Sequence, residues 1–151
     1  MMTAAGPKVL EFNARFGQPE CEVYMRLLKS DILDLFLRTD LQKIQWHGGY
    51  AANIVIASAG YPGSYEKDKV ITGIEEAHAL PGIVVFHMGT AMKGRQLVTN
   101  GGRVLGVTAV GDTLKEALDR AYEAVSKIHF DGMQYRKDIG AKALARESLS
   151  D

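Results

Sequence analysis

The chain has 151 residues, 18 Lys+Arg against 18 Asp+Glu, and 46% hydrophobic residues. A domain of about 150 residues buries roughly 68–70% of its unfolded surface, enough for one good core. Zero formal net charge supplies no field toward nucleic acid or an anionic membrane, and the single Cys21 excludes an internal disulfide and a thiolate-rich metal site. No apolar run reaches the ~20 residues that span a bilayer, and no signal-peptide pattern opens the chain, so a folded cytoplasmic protein is expected.

In chain order, "KVLEFNA" at residues 8–14 reads as a strand with Leu10, Phe12 and Ala14 on one face. Pro19 suits the first turn of a helix. Val23, Leu27, Leu28, Ile32, Leu35 and Phe36 recur at helical spacing and extend that helix to about Thr39. "DLQKIQWHGG" is a polar connector, broken at Gly48 and Gly49, so a domain boundary is expected near residue 45. Residues 1–45 and 46–151 are thus taken as separate domains.

The second part reads as strands first. "YAANIVIAS" ends at "GYPGS", where Pro62 and Gly63 suit the middle of a type II turn. "KVITG" is a short strand, "IEEAHAL" a helical turn, "GIVVFHMG" a strand, "TAMKGR" a turn and "QLVT" a strand. "NGG" gives a hairpin signal before the long strand "RVLGVTAVG". Thr113 and Glu116 form a capping-box pair. They open a helix that buries Leu114, Ala117, Leu118, Ala121, Val125 and Ile128, and a last short helix starts near Ala141. Hairpin-linked strands flanked by helices indicate an α+β fold.

Two constellations bear chemistry. Glu11, Asn13 and Arg15 share the other face of the first strand. Buried without partners, such a row costs several kcal/mol, on the order of a few per group. Either the face is a solvated edge with a local ion pair, or it holds a ligand. A carboxylate and an amide carbonyl are two hard oxygen donors of the kind Mg²⁺ accepts, and an adjacent Arg can hold an anion. In "TNGGRVLG", Asn100 and Gly101 suit a hairpin turn followed by a solvated Arg103. Alternatively, the amides of Gly101 and Gly102 beside Arg103 can hold phosphate oxygens. "GYPGSY" either lines a cleft or is a plain turn. His47, His78, His87 and His129 are too scattered for a metal motif.

"LEFNARFGQPE" closely resembles the signature of the glycinamide ribonucleotide synthetase family (phosphoribosylamine–glycine ligases) within the ATP-grasp superfamily. The likeness continues through "LLKSDILDL", "ASAGYPGSYEKDKVITG", "VVFHMGTAMKGRQLVTNGGRVLGVTAVGDTL" and "YRKDIG", covering nearly the whole chain. The resemblance implies that residues 1–45 are the last strand and helix of an ATP-grasp domain. It implies that residues 46–151 are the small C-terminal domain, a sheet of barrel-sandwich type. It implies an ADP-forming joining of glycine to 5-phosphoribosylamine in purine biosynthesis, with ATP as co-substrate and Mg²⁺ or Mn²⁺ as the metal. By the same likeness Glu11 and Asn13 match the metal ligands and Arg15 the catalytic Arg beside the metal, while "TNGGRVLG" resembles related purine-pathway ATP-grasp enzymes in which an Arg at the start of this strand, here Arg103, grips the ribose 5-phosphate.

Gln18 departs from the family's usual Asp, which is read as the loss of a helix cap. Family members are considerably longer, and no Gly-rich phosphate loop or adenine pocket is found here. The chain alone is therefore expected to be inactive without an N-terminal part. Two other readings are a non-catalytic phosphate-binding module and, from "TAMKG", a biotinyl-type carrier modified on Lys93.

Overall fold

The computed structural model describes residues 1–38 and 44–147. Two nine-residue antiparallel strands form its centre, β3 (Tyr50–Ser58) and β7 (Arg103–Gly111). β4 (Ile83–His87) pairs with the outer edge of β7, and β8 (Met133–Tyr135) with that of β3, giving the order β4-β7-β3-β8. Every pairing is antiparallel, and the α+β class stands.

The period-2 alternation of β3 decides where the core lies. Ala52, Ile54 and Ile56 face one side, opposite Ala109, Val107 and Leu105. All six are buried in one hydrophobic cluster. α4 (Leu114–Val125) covers that side with Ala117, Leu118, Ala121 and Val125, while Ile128 and Phe130 close the edge. Its start follows the expected capping box: Glu116 N–H donates to Thr113 Oγ1 at 3.1 Å. The Glu116 carboxylate accepts from Asp112 N–H at 2.7 Å, one residue earlier than in the usual box. α3 (Ile74–His78) packs on β4, and α5 (Ala141–Glu147) ends the described chain. Among the described residues no helix is long and apolar enough to cross a membrane.

Several expectations need correction. Residues 8–14 form no strand, because none of the described residues offers them a ladder; all are exposed. The only strands before them are the short β1 (Met2–Thr3) and β2 (Gly6–Pro7), paired with each other. The first helix is two helices, α1 (Glu20–Leu27) and α2 (Ile32–Arg38). Leu28 turns extended and bridges Trp46, and Asp31 Oδ1 then accepts from Leu33 N–H at 2.8 Å as a new N-cap. The expected end at Thr39 lies outside the described residues.

"TAMKGR" contains β5 (Thr90–Lys93), which pairs with β6 (Gln96–Thr99) across a two-residue loop of Gly94 and Arg95. Gly94, at φ +63°, supplies the left-handed backbone that loop requires. "NGG" is therefore not a hairpin. It carries the chain from the β5-β6 pair to the central sheet, without positive φ at Asn100, Gly101 or Gly102. "KVITG" makes two isolated bridges rather than a strand. At "GYPG", the Tyr61-Pro62 bond is cis and Gly63 N–H donates to the Gly60 carbonyl at 2.7 Å, a type VI turn instead of type II.

Candidate active site

The sheet face that α4 leaves uncovered holds Asn53, Val55 and Ala57 of β3, with Thr108 and Gly106 opposite in register. α1 lies over the Asn53 end. Toward β8 a cavity of about 450 Å³ opens, lined by Val55, Ala57, Tyr61, Arg103, Gln134 and Arg136 among others. Apolar walls with a few convergent polar groups are the ordinary form of a small-molecule site. Its two cations differ. Arg136 is held by Asp138 in a two-pronged pair at 2.9 and 2.7 Å, and this hydrogen bonding holds the Asp138 carboxyl below its usual range. Arg103 is half-buried at the start of β7, and its Nη1 donates to the Gln18 carbonyl at 2.5 Å.

Gly101 and Gly102 are packed, not open. A Cβ on Gly102 would strike the rings of Tyr61 and Tyr65, and one on Gly101 would press on Gly89. Their carbonyls accept from Ser58, whose N–H reaches Gly102 O at 2.8 Å and whose Oγ reaches Gly101 O at 2.9 Å. Close packing of the strand start explains both glycines and leaves Arg103 as the projecting group.

Glu11, Asn13 and Arg15 occupy the exposed segment before α1. Asn13 Nδ2 donates to Glu11 Oε1 at 3.1 Å, so these two side chains adjoin. Arg15 folds back, its Nη1 donating to the Phe16 carbonyl at 2.7 Å. A carboxylate and an amide oxygen are donors of the kind a hard divalent cation accepts, and here the amide nitrogen is the atom turned to Glu11. Among the described residues no group of three or more His, Cys, Asp or Glu could hold a metal. Gln18 stands outside the helix end: the N-cap position is Pro19, without a side-chain cap, so the cap reading of this position is not supported. The backbone carbonyl of Gln18, not its side chain, meets Arg103.

His87 is exposed at the end of β4, its Nδ1 at 3.0 Å from Thr90 Oγ1. Lys93 closes β5 and pairs with Asp68 at 2.7 Å.

The residue that sequence reasoning missed is Glu22. It is 7% exposed and is the one buried ionisable side chain among the described residues. Its carboxylate accepts from Asn53 Nδ2 and rests over Gly106, where a Cβ would collide with Glu22 Oε2. Burial pushes its pKa up; the Asn53 hydrogen bond and the Arg103 charge act in the other direction, and Glu20 adds a smaller upward push. Two signals stood in the sequence: an amide alone in the apolar run "YAANIVIAS", and a glycine inside "RVLGVTAVG". A strand-interior glycine often marks a close approach.

Residues 51–142 match the family described as Phosphoribosylglycinamide synthetase, C domain. The chain is 46% identical to the phosphoribosylamine–glycine ligase of Halalkalibacterium halodurans, an alignment covering 99% of this chain and 35% of the relative. It is 50% identical to the trifunctional purine biosynthetic protein adenosine-3 of Gallus gallus, covering 99% of this chain and 16% of that protein. The crystal structure of phosphoribosylamine–glycine ligase from Thermotoga maritima superposes with a TM-score of 0.75 at 37% identity, covering 91% of this chain and 34% of that one. The chain thus spans about a third of the ligases and a smaller share of the trifunctional protein. With a sheet, a cavity and a family match that coincide, the chain belongs to the phosphoribosylglycinamide synthetase C-domain family.

Proposed function

We propose that the chain is the C-terminal part of a cytoplasmic phosphoribosylamine–glycine ligase. On this reading residues 1–45 are the C-terminal remnant of its ATP-grasp domain. Residues 46–151 are its C-terminal domain, of barrel-sandwich type. ATP phosphorylates the glycine carboxylate, releasing ADP. The amine of 5-phosphoribosylamine then attacks the acyl carbon, loses a proton and displaces phosphate to leave glycinamide ribonucleotide.

The reading rests on one contact, Arg103 Nη1 on the Gln18 carbonyl at the cavity edge. That contact brings a guanidinium of β7, suited to the ribose 5-phosphate, against the arm that bears Glu11 and Asn13. In the proposal Arg103 grips the phosphate, with its preceding glycines shaping the strand start. Glu11 and Asn13 would hold Mg²⁺ or Mn²⁺, which when bound neutralises charge on the transferring phosphoryl group. Arg15 swings from its backbone contact to stabilise charge on the acyl phosphate. Most of the contribution is positioning, since the activated acyl group supplies the chemical drive.

The purified chain alone is expected to make no glycinamide ribonucleotide, and adding the N-terminal part of the ligase in trans is expected to restore it. In the reconstituted enzyme Glu11→Gln with Asn13→Ala should abolish turnover, and Arg103→Ala should raise the KM for phosphoribosylamine. Turnover by the isolated chain, or indifference of the reconstituted enzyme to all three changes, would overturn the proposal. Phosphate binding without any rescue would leave the phosphate-binding module instead.

A further inference from the structure

Three polar ties run from the N-terminal arm to the central sheet and its flank. Arg103 Nη1 donates to the Gln18 carbonyl at 2.5 Å, Asn53 Nδ2 donates to the Glu22 carboxylate, and Arg26 Nη2 reaches the Gly82 carbonyl at 3.4 Å. The middle tie holds the buried Glu22. At it Asn53 Oδ1 and its cross-strand neighbour Thr108 Oγ1 are buried without a partner, as is Arg26 Nε one turn further along α1. The side chains of Glu22, Asn53 and Thr108 are thus brought together between α1 and the sheet for one hydrogen bond, at a site where leucine or valine packing would have held the helix without desolvating a carboxyl. The cost is accepted at one place on α1, one turn from Gln18. Gly106 keeps β7 bare at the spot where the Glu22 oxygen must sit.

We propose that Glu22 is a positioning residue: clamped by Asn53 over Gly106, it fixes α1 on the sheet and thereby sets where the Gln18 carbonyl meets Arg103. The segment with Glu11, Asn13 and Arg15 enters α1 only a few residues upstream, so the same clamp governs its distance from the cavity. The charged groups near the carboxyl are Arg103 from β7 and Glu20 from its own helix, with Arg26 one turn further along α1. The metal and phosphate roles at the two ends rest on the proposed function. The mechanical coupling of α1 to Arg103 does not.

The test uses the full chain with Glu22→Ala, Gly106→Ala and Glu22→Gln. Amide hydrogen exchange is followed across residues 8–27 and, as a check on folding, in β3 and β7. Glu22→Ala and Gly106→Ala are expected to speed exchange in α1 and its approach by about tenfold or more, while β3 and β7 stay protected. Glu22→Gln keeps an acceptor for Asn53 and should protect α1 at least as well as the parent. Ribose 5-phosphate, titrated by NMR, should bind at least about fivefold more weakly to Glu22→Ala than to the parent or to Glu22→Gln. Parental exchange in Glu22→Ala, or Glu22→Gln as disturbed as Glu22→Ala, overturns the proposal. If ribose 5-phosphate binds no form of the chain, the phosphate role of Arg103 fails, and the exchange comparison still decides the role of Glu22.

Discussion

Two regions of this molecule are built on different terms. From Ala52 to Phe130 lie all of the buried hydrophobic side chains among the described residues, grouped between one sheet face and α4. Before Ala52 there is none. The first 46 residues instead expose Met1, Val9, Leu10, Phe12, Phe16, Tyr24, Leu33, Phe36, Leu37 and Trp46. An apolar cleft of about 190 Å³ between α1 and α2 adds to this surface. The central region contains the core, and the N-terminal arm packs α1 against it with three polar ties between them. The contrast shows why one stretch of chain can look folded in pattern yet lack a core. Apolar spacing marks a face, while stability needs a second surface against it.

Phe130 and Phe12 test that contrast directly. Phe130 is 1% exposed, so Phe130→Ala should cost about 3–5 kcal/mol in urea unfolding and lower the thermal midpoint accordingly. Thr113→Ala removes the cap that starts α4 over the core and should cost about 0.5–2 kcal/mol in the same assay.

Glu22→Gln acts between the regions, and its sign depends on pH. The folded pKa of Glu22 lies above its ordinary 4.5, so its contribution is fully present below that value and is lost as pH rises through the raised one. The variant, neutral throughout, should therefore gain stability over the parent as pH climbs from 4.5 toward neutrality, read from urea midpoints across pH.

Phe12→Ser, at a side chain 91% exposed, should change stability by no more than about 0.5 kcal/mol. It should still reduce the concentration-dependent light scattering expected of an arm with Val9, Leu10 and Phe12 in the open. A parent chain that scatters as a monomer at high concentration would remove the basis of this last expectation.

Local signals served well where local physics sufficed. β3 and β7 run over the residues that their apolar, β-branched composition indicates, and α4 starts at its capping box. They served poorly where a partner elsewhere mattered. β5 was hidden because its short, mixed sequence becomes a strand only by pairing with β6. "NGG" had the composition of a hairpin, but β7 finds its partners in β3 and β4, far away in sequence. Ser30 and Asp31 could have announced the break between α1 and α2, since Asp31 caps the start of α2; the continuous apolar spacing masked it.

Of the candidate site, Glu11, Asn13, Arg15 and Arg103 were legible as residue types in a family-like pattern. The cavity beside Arg103 was not, because its walls come from β3, β7, β8 and the turn at Tyr61. Chain order alone indicated the main strands and the helix that seals the core, for these follow from periodicity and capping within a few residues, while the family showed in the likeness of whole motifs. Folding in three dimensions selected which strands pair, left the 8–14 segment without a ladder and drew Glu22 under α1 onto Gly106. Each of those outcomes depends on a neighbour distant in the chain, and hydrogen-bond ladders and desolvation exist only once that neighbour has arrived.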